Sequence, residues 1–266
     1  MSKVLLDGVE FGYDDVGTGT PLVLVHGHPF NRTMWRPQAE RFSRDGWRVI
    51  TPDLRGYGDS PVVPGKTGLD TFAADLIRLA DHLGLGRFVL GGLSMGGQIV
   101  METHRRYPER LAGLLLADTS PQADTEEGKR VRNETADRLL AEGMPGYATE
   151  VLPKMVTPEN IRTRPDVAKH VLDMMRASPP EGAAAALRGR AERPDYTASL
   201  ATVGVPTLIV VGSEDEFTPV ADARLMHRLV PGSVLAVIDG AGHMPNLERE
   251  AEFNDVFGPF LKTVGL

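Results

Sequence analysis

Residues 91–97 read GGLSMGG, four glycines around Ser94. Glycine adds no side chain to a core and loses more backbone freedom on folding than other residues. Its clustering here points to a turn in which larger side chains would clash. An apolar run, FVLGG, precedes the serine and a helical pattern, MGGQIVMETHRRY, follows it. Gly92-Leu93-Ser94-Met95-Gly96 is therefore a G-x-S-x-G pentapeptide at a strand-to-helix junction, where a sharp turn presents a serine in strained dihedrals. The chemistry implied is nucleophilic attack by a hydroxyl. A serine hydroxyl is a weak nucleophile near neutral pH, so it needs a base, and the base needs an acid to orient it.

Seven histidines are available. His243, in VIDGAGHMPNLE, follows a strand pattern in a glycine-flanked loop and precedes the last helix. A loop there can aim an imidazole at the carboxyl end of a sheet. His82, His104, His170 and His227 fall in helical stretches and read as packing or surface residues. For the acid, TLIVVGSEDEFTP offers Asp215 directly after a strand, with Glu214 and Glu216 beside it; Asp118, after another strand, could also reach. The chain order Ser94, Asp215, His243 suits a triad built on strand ends. Acyl transfer also needs donors for a developing oxyanion. The N–H of Met95 comes with the turn, and VHGHPF, after the strand PLVLV, offers the N–H of His28.

Two other chemistries are weaker. His26 and His28 form an H-x-H pair, but no further ligands follow at zinc-hydrolase spacing, so no metal is expected. PGKTG ends like a phosphate loop, yet Ser60 stands where that pattern needs glycine and no strand precedes it.

The elements that must position these residues alternate. Strands are expected near Val9–Asp14, Leu22–Val25, Trp47–Thr51, Phe88–Gly91, Leu111–Ala117, Thr207–Val211 and Val234–Ile238, and helices at Gln38–Arg44, Thr71–Leu83, Met95–Arg106, Val220–Leu229 and Glu250–Leu261. Continuously apolar runs such as PLVLV and TLIVV suit strands covered on both faces of a parallel sheet. The expected class is α/β with crossover connections, its opening segment antiparallel at an edge. Alternation stops near Ser120 and resumes near Pro206. The helical stretch between, broken by MPG, TPEN, TRPD and SPPEG, reads as an insertion. The expected division is a core of residues 1–120 and 201–266 with a helical cap of 121–200.

The chain has 266 residues, a formal net charge of −7 and no cysteine. Disulfides, thiolate nucleophiles and cysteine zinc sites are excluded. Interleaved charges, as in GKRVRNETADR, read as a solvated helix face. The acidic balance disfavours nucleic acid and anionic membranes as partners. No apolar run approaches the ~20 residues of a membrane span, and the start lacks the pattern of a secretory signal; a cytoplasmic location is expected.

HGHP, RGYGDS (Arg55 to Ser60), GLSMGG, GSEDEFTP and GAGHMPNLE together resemble the α/β-hydrolase superfamily over nearly the whole chain. The resemblance implies a doubly wound, mostly parallel sheet with a helical cap after the sixth strand. It implies Ser94 as nucleophile, Asp215 as acid, His243 as base, and the N–H groups of His28 and Met95 as oxyanion donors, with no cofactor. RGYGDS would shape the loop beside the site. From KMVTPENI through MMRASPPEGAAAALRGRAERPDY the cap looks most like 3-oxoadipate enol-lactonases and related carboxylesterases. Those lactonases tend to carry an Arg-Trp pair where Lys154 and Met155 stand here, and lysine lacks the planar fork that grips a carboxylate. Met144, Met155, Met174 and Met175 suggest an apolar cap lining, and Phe30 and Trp35, just past the oxyanion turn, are further candidates.

The expected function is a serine hydrolase for a small carboxylic ester or lactone, with activity falling as pH drops and the base is protonated. Cofactor-free perhydrolases and haloperoxidase-like esterases also resemble the chain, many with proline after the oxyanion residue, as Pro29 is here. A C–C bond hydrolase could use the same triad. A reading of another class is a ligand-binding receptor on a hydrolase fold.

Overall fold

The computed structural model describes residues 2–265. Eight strands form one sheet: β1 (Ser2–Leu6), β2 (Val9–Val16), β3 (Thr20–Val25), β4 (Trp47–Pro52), β5 (Phe88–Leu93), β6 (Leu111–Ala117), β7 (Thr207–Gly212) and β8 (Val234–Ile238). The order is β1-β2-β4-β3-β5-β6-β7-β8. β1 and β2 pair antiparallel, as do β2 and β4, and every later pairing is parallel. β1 is the strand that periodicity did not reveal. It is an edge strand on which only Val4 is buried, so it carries little hydrophobic pattern.

The helices are α1 (Arg36–Phe42), α2 (Leu69–His82), α3 (Met95–Arg106), α4 (Glu126–Glu142), α5 (Met144–Met155), α6 (Pro158–Thr163), α7 (Pro165–Ala177), α8 (Pro180–Ala191), α9 (Thr197–Leu200), α10 (Val220–Leu229), α11 (Pro245–Glu248) and α12 (Glu250–Leu261). Successive strand side chains point to opposite faces. Val23, Val25, Leu90 and Leu116 accordingly join α2, α3 and α10 in one core, while Leu22, Leu24, Val89 and Leu115 join α1 and α12 in the other. Covering on both faces explains why these strands read as unbroken apolar runs.

Helices α4 to α8 all lie between β6 and β7, the position expected for the insertion after the sixth strand. α4 and α8 pack through Ala136, Leu139, Ala183, Ala184 and Leu187. The alanine run is thus a close-packing face, since small side chains let two helices approach. On its other side α8 meets the core loop: a Cβ at Gly189 would fall 1.7 Å from the Thr67 carbonyl oxygen. Among the described residues no helix is long and apolar enough to cross a membrane.

Candidate active site

Ser94 sits between β5 and α3 with φ 59° and ψ −117°. Such a conformation persists only where the surroundings over-determine it. The Ser94 N–H donates to the Ala117 carbonyl at 2.9 Å, and its carbonyl accepts from Thr119 Oγ1 at 2.8 Å and from the Gln98 N–H at 3.1 Å. The flanking glycines supply clearance. A Cβ on Gly92 would stand 2.3 Å from the Gly96 backbone, and one on Gly96 2.3 Å from the Val25 carbonyl oxygen.

His243 follows β8 and Asp215 follows β7. Their contact is direct: His243 Nδ1 lies 2.8 Å from Asp215 Oδ2, with both side chains buried. Asp215 is itself fixed by four donors. Oδ1 accepts from the N–H groups of Phe217 (2.8 Å) and Thr218 (3.2 Å), and Oδ2 accepts from Thr218 Oγ1 (2.5 Å) as well as His243. Burial opposes its charge, but His243, Thr218 and the Phe217 N–H outweigh it and hold the carboxyl below its usual value. Neither Glu214 nor Glu216 contacts His243 among the described hydrogen bonds and ion pairs. Asp118 lies behind the pair, with Oδ1 accepting from the Gly212 N–H at 2.9 Å and Oδ2 buried without a partner. Burial, then the charge of Asp215, pushes its carboxyl well above the usual range. Asp118, Asp215 and His243 present ligand atoms within 4.8 Å of one another. His243 Nδ1 and Asp215 Oδ2 are already engaged with each other, so the cluster reads as a carboxylic acid backing a hydrogen-bonded His–Asp pair.

The turn after β3 carries both remaining histidines. His26 has both ring nitrogens engaged: Nε2 accepts from the Leu54 N–H at 3.0 Å, and Nδ1 lies 2.8 Å from the Gly27 carbonyl. It holds the loop that enters RGYGDS. His28 Nδ1 and the Tyr57 hydroxyl share a 2.8 Å hydrogen bond on one side of the ring, leaving Nε2 on the other. That Nε2 is buried without a partner. Burial, then the charge of Arg190, keeps the ring neutral. No hydrogen bond among the described residues engages the His28 N–H, and the Met95 N–H opens α3, where helices have no internal acceptor.

Glu248, at the end of α11, was not singled out from the sequence. Its Oε1 accepts from the N–H groups of Gly242 (2.9 Å) and Met244 (3.1 Å), on either side of His243. Its Oε2 accepts from the Thr157 N–H and Asn160 Nδ2, at 2.9 Å and 2.8 Å. The His243 N–H donates to the Met155 carbonyl at 3.1 Å. One fully buried carboxylate thus ties the histidine loop to the inserted helices. A glutamate five residues after the histidine gave no signal, because its donors meet it only in the folded chain.

Ser94 and His243 line one cavity of 130 Å³ with His28, Gln98, Tyr147, Met155 and others. The Ser94 hydroxyl makes no hydrogen bond among the described residues; catalytic contacts often tighten only once substrate is bound. Of the expected lining residues, Met155 faces this cavity. Phe30 and Trp35 do not. After the turn closed by the Phe30 N–H on the Gly27 carbonyl at 3.0 Å, the chain doubles back and drives both rings into the core, Trp35 against Phe253. Met144, Met174 and Met175 pack between helices instead. Arg132 and Arg190, by contrast, reach the cavity wall. Arg132 belongs to the stretch that read as a solvated face. That reading suits Arg130, exposed and paired with Glu127 and Glu134, but Arg132 turns inward.

Comparison with known proteins agrees with this architecture. An esterase from Thermogutta terrifontis, solved with malate bound, is 41% identical, with a TM-score of 0.96 over 100% of this chain and 99% of that one. A 3-oxoadipate enol-lactonase of Acinetobacter baylyi is 28% identical over 97% of this chain and 94% of its own. A putative non-heme chloroperoxidase of Synechocystis is 30% identical over 96% and 95%. The resemblance to enol-lactonase-like esterases is thereby borne out. The family model for the alpha/beta hydrolase fold matches residues 20–250, and with its sheet order and inserted helices the chain belongs to that family.

Proposed function

We propose that the chain is a serine hydrolase cleaving a small carboxylic ester or lactone through an acyl-enzyme on Ser94. The observation that carries this reading is the 2.8 Å contact between His243 and Asp215 beside a serine held at φ 59°. Ser94 Oγ attacks the carbonyl carbon while His243 Nε2 takes its proton. Asp215 keeps the hydrogen of the ring on Nδ1 and stabilises the imidazolium that forms. The N–H groups of His28 and Met95 receive the oxyanion. As the intermediate collapses, His243 returns the proton to the leaving alkoxide. Water then attacks the acyl carbon with His243 again as base, releasing the acid and restoring the serine. Residues 121–200 form the cap that shapes the cavity.

A panel of short aryl esters and lactones tests the reading. The wild type should turn several over, and Ser94→Ala should lower kcat by roughly 10³-fold or more. Near wild-type hydrolysis by Ser94→Ala would refute it.

A further inference from the structure

The cavity beside Ser94 is too small to enclose both halves of an ester. Its 130 Å³ is comparable to a cavity that holds one benzene (~150 Å³), so one half must pass through the mouth. The lining residues mark where that mouth is. His28, Gln98, Met155, Leu187 and Arg190 are buried, and among the described lining residues Phe217 alone is exposed. Phe217 keeps 43% of its surface in solvent, and it is the one aromatic among the large exposed apolar side chains described. Scattered exposed apolar residues are ordinary. This one is held in place and sits against the catalytic base. Its N–H donates to Asp215 Oδ1 at 2.8 Å, which ties its backbone to the turn that carries the acid. Its ring makes an edge-type contact with the His243 imidazole, with centroids 5.1 Å apart and planes at 61°.

What passes that ring follows from the chemistry. In the tetrahedral intermediate the carbonyl carbon is bonded to Ser94 Oγ, and its oxyanion faces the N–H groups of His28 and Met95. The alcohol oxygen must then come within hydrogen-bond reach of His243 Nε2, which returns the proton as the C–O bond breaks. The alcohol half therefore runs alongside the His243 ring, where Phe217 stands. The acyl half takes the enclosed part, beside Met155 and Leu187.

We propose that Phe217 is the specificity-determining residue of an open alcohol subsite, its ring favouring a flat, apolar alcohol group over a polar one of similar reactivity. This rests on the hydrolase reading above and assigns the direction in which the substrate lies. Aromatic rings gain from contact with one another beyond the area they bury, and the exposed side of Phe217 has such contact to offer. The alcohol has left before water attacks the acyl-enzyme. Phe217 therefore acts on acylation and, by microscopic reversibility, on capture of the acyl group by an added alcohol, and has no part in the step with water.

The test compares benzyl acetate with 2-methoxyethyl acetate, whose alcohols are of comparable acidity and which yield the same acetyl-enzyme. The wild type should favour the benzyl ester in kcat/KM by about 3- to 10-fold, the range of one aromatic contact. Phe217→Ala, which keeps the N–H that holds Asp215, should lower that ratio by a similar factor, and Phe217→Tyr should retain it. A ring needed only to hold His243 or Asp215 would slow both esters alike and leave the ratio unchanged. A second readout needs no variant. With the wild type acetylated by p-nitrophenyl acetate, benzyl alcohol should capture the acetyl group from water more effectively than 2-methoxyethanol at equal concentration. Absence of the benzyl preference from either measurement, or a preference that Phe217→Ala retains, would overturn the subsite while leaving the hydrolase intact. If no ester turned over and a fluorophosphonate left Ser94 unlabelled, the hydrolase reading would fall and the subsite with it.

Discussion

Replacing Glu248 with glutamine changes a few atoms and should disturb both the histidine loop and the inserted helices. The carboxylate accepts four hydrogen bonds, two at each oxygen, from Gly242, Met244, Thr157 and Asn160. Glutamine keeps one accepting oxygen and turns an amide N–H₂ toward the other two donors. Asn160 could turn its own amide to meet it only by giving up the Gly240 carbonyl, which it now holds at 2.8 Å. Hydrogen bonds to a charged acceptor contribute about 1.5–3 kcal/mol each, and a buried donor left unmatched carries its own penalty. Two such losses give about 3–6 kcal/mol before relaxation, and local shifts and entering water should bring this to about 3. For a chain of this size that corresponds to a drop in Tm of about 6–12 °C. The Gly242 and Met244 N–H groups frame His243, so a displaced ring should lower kcat as well; misplacement by about 1 Å can lower a rate 10²-fold. Thermal melting followed by circular dichroism and steady-state ester kinetics would measure both effects. A Glu248→Gln protein melting within about 2 °C of wild type, with unchanged kcat, would show that the clasp is not what positions the histidine.

Asp118 and Asp215 should shift stability in opposite directions with pH. Asp118 keeps a proton in the folded chain that the unfolded chain releases above its ordinary value of 3.8, so wild-type stability declines as pH rises from about 4 toward the raised folded value. Asp118→Asn has no such proton to keep, so its stability relative to wild type, from urea midpoints at about pH 4.5 and about pH 7.5, should rise with pH; a variant-minus-wild-type difference that stays flat or falls would contradict this. The lowered value of Asp215 gives a contribution complete above 3.8 and lost as pH falls through the folded value. Asp215→Asn should therefore be less stable at neutral pH, converge with wild type in acid, and lose kcat by about 10³- to 10⁴-fold through the wrong imidazole tautomer.

The residues grouped around Ser94 were legible because each stands in a loop at a strand end, in an order that one sheet can bring together. The sheet was legible from its doubly covered strands, apart from β1, which buries too little to leave a pattern. The cavity was legible only in part. Phe30 and Trp35 lie close to the His28 turn in sequence, but their direction depends on how the chain doubles back into the core. Arg132 and Arg190 look like ordinary helix charges until α4 and α8 close over the core. The role of Glu248 requires donors from residues 157, 160, 242 and 244, which no local window contains.

The central claim is that Ser94 carries the acyl group. Rapid quenching of wild-type protein with an activated aryl ester, followed by peptide mass spectrometry, addresses it directly. The expected result is one acyl adduct on the peptide containing Ser94, formed in a burst with aryl alcohol release and missing from Ser94→Ala. Full turnover with no adduct at Ser94, or an adduct on another residue that Ser94→Ala leaves in place, would contradict the account.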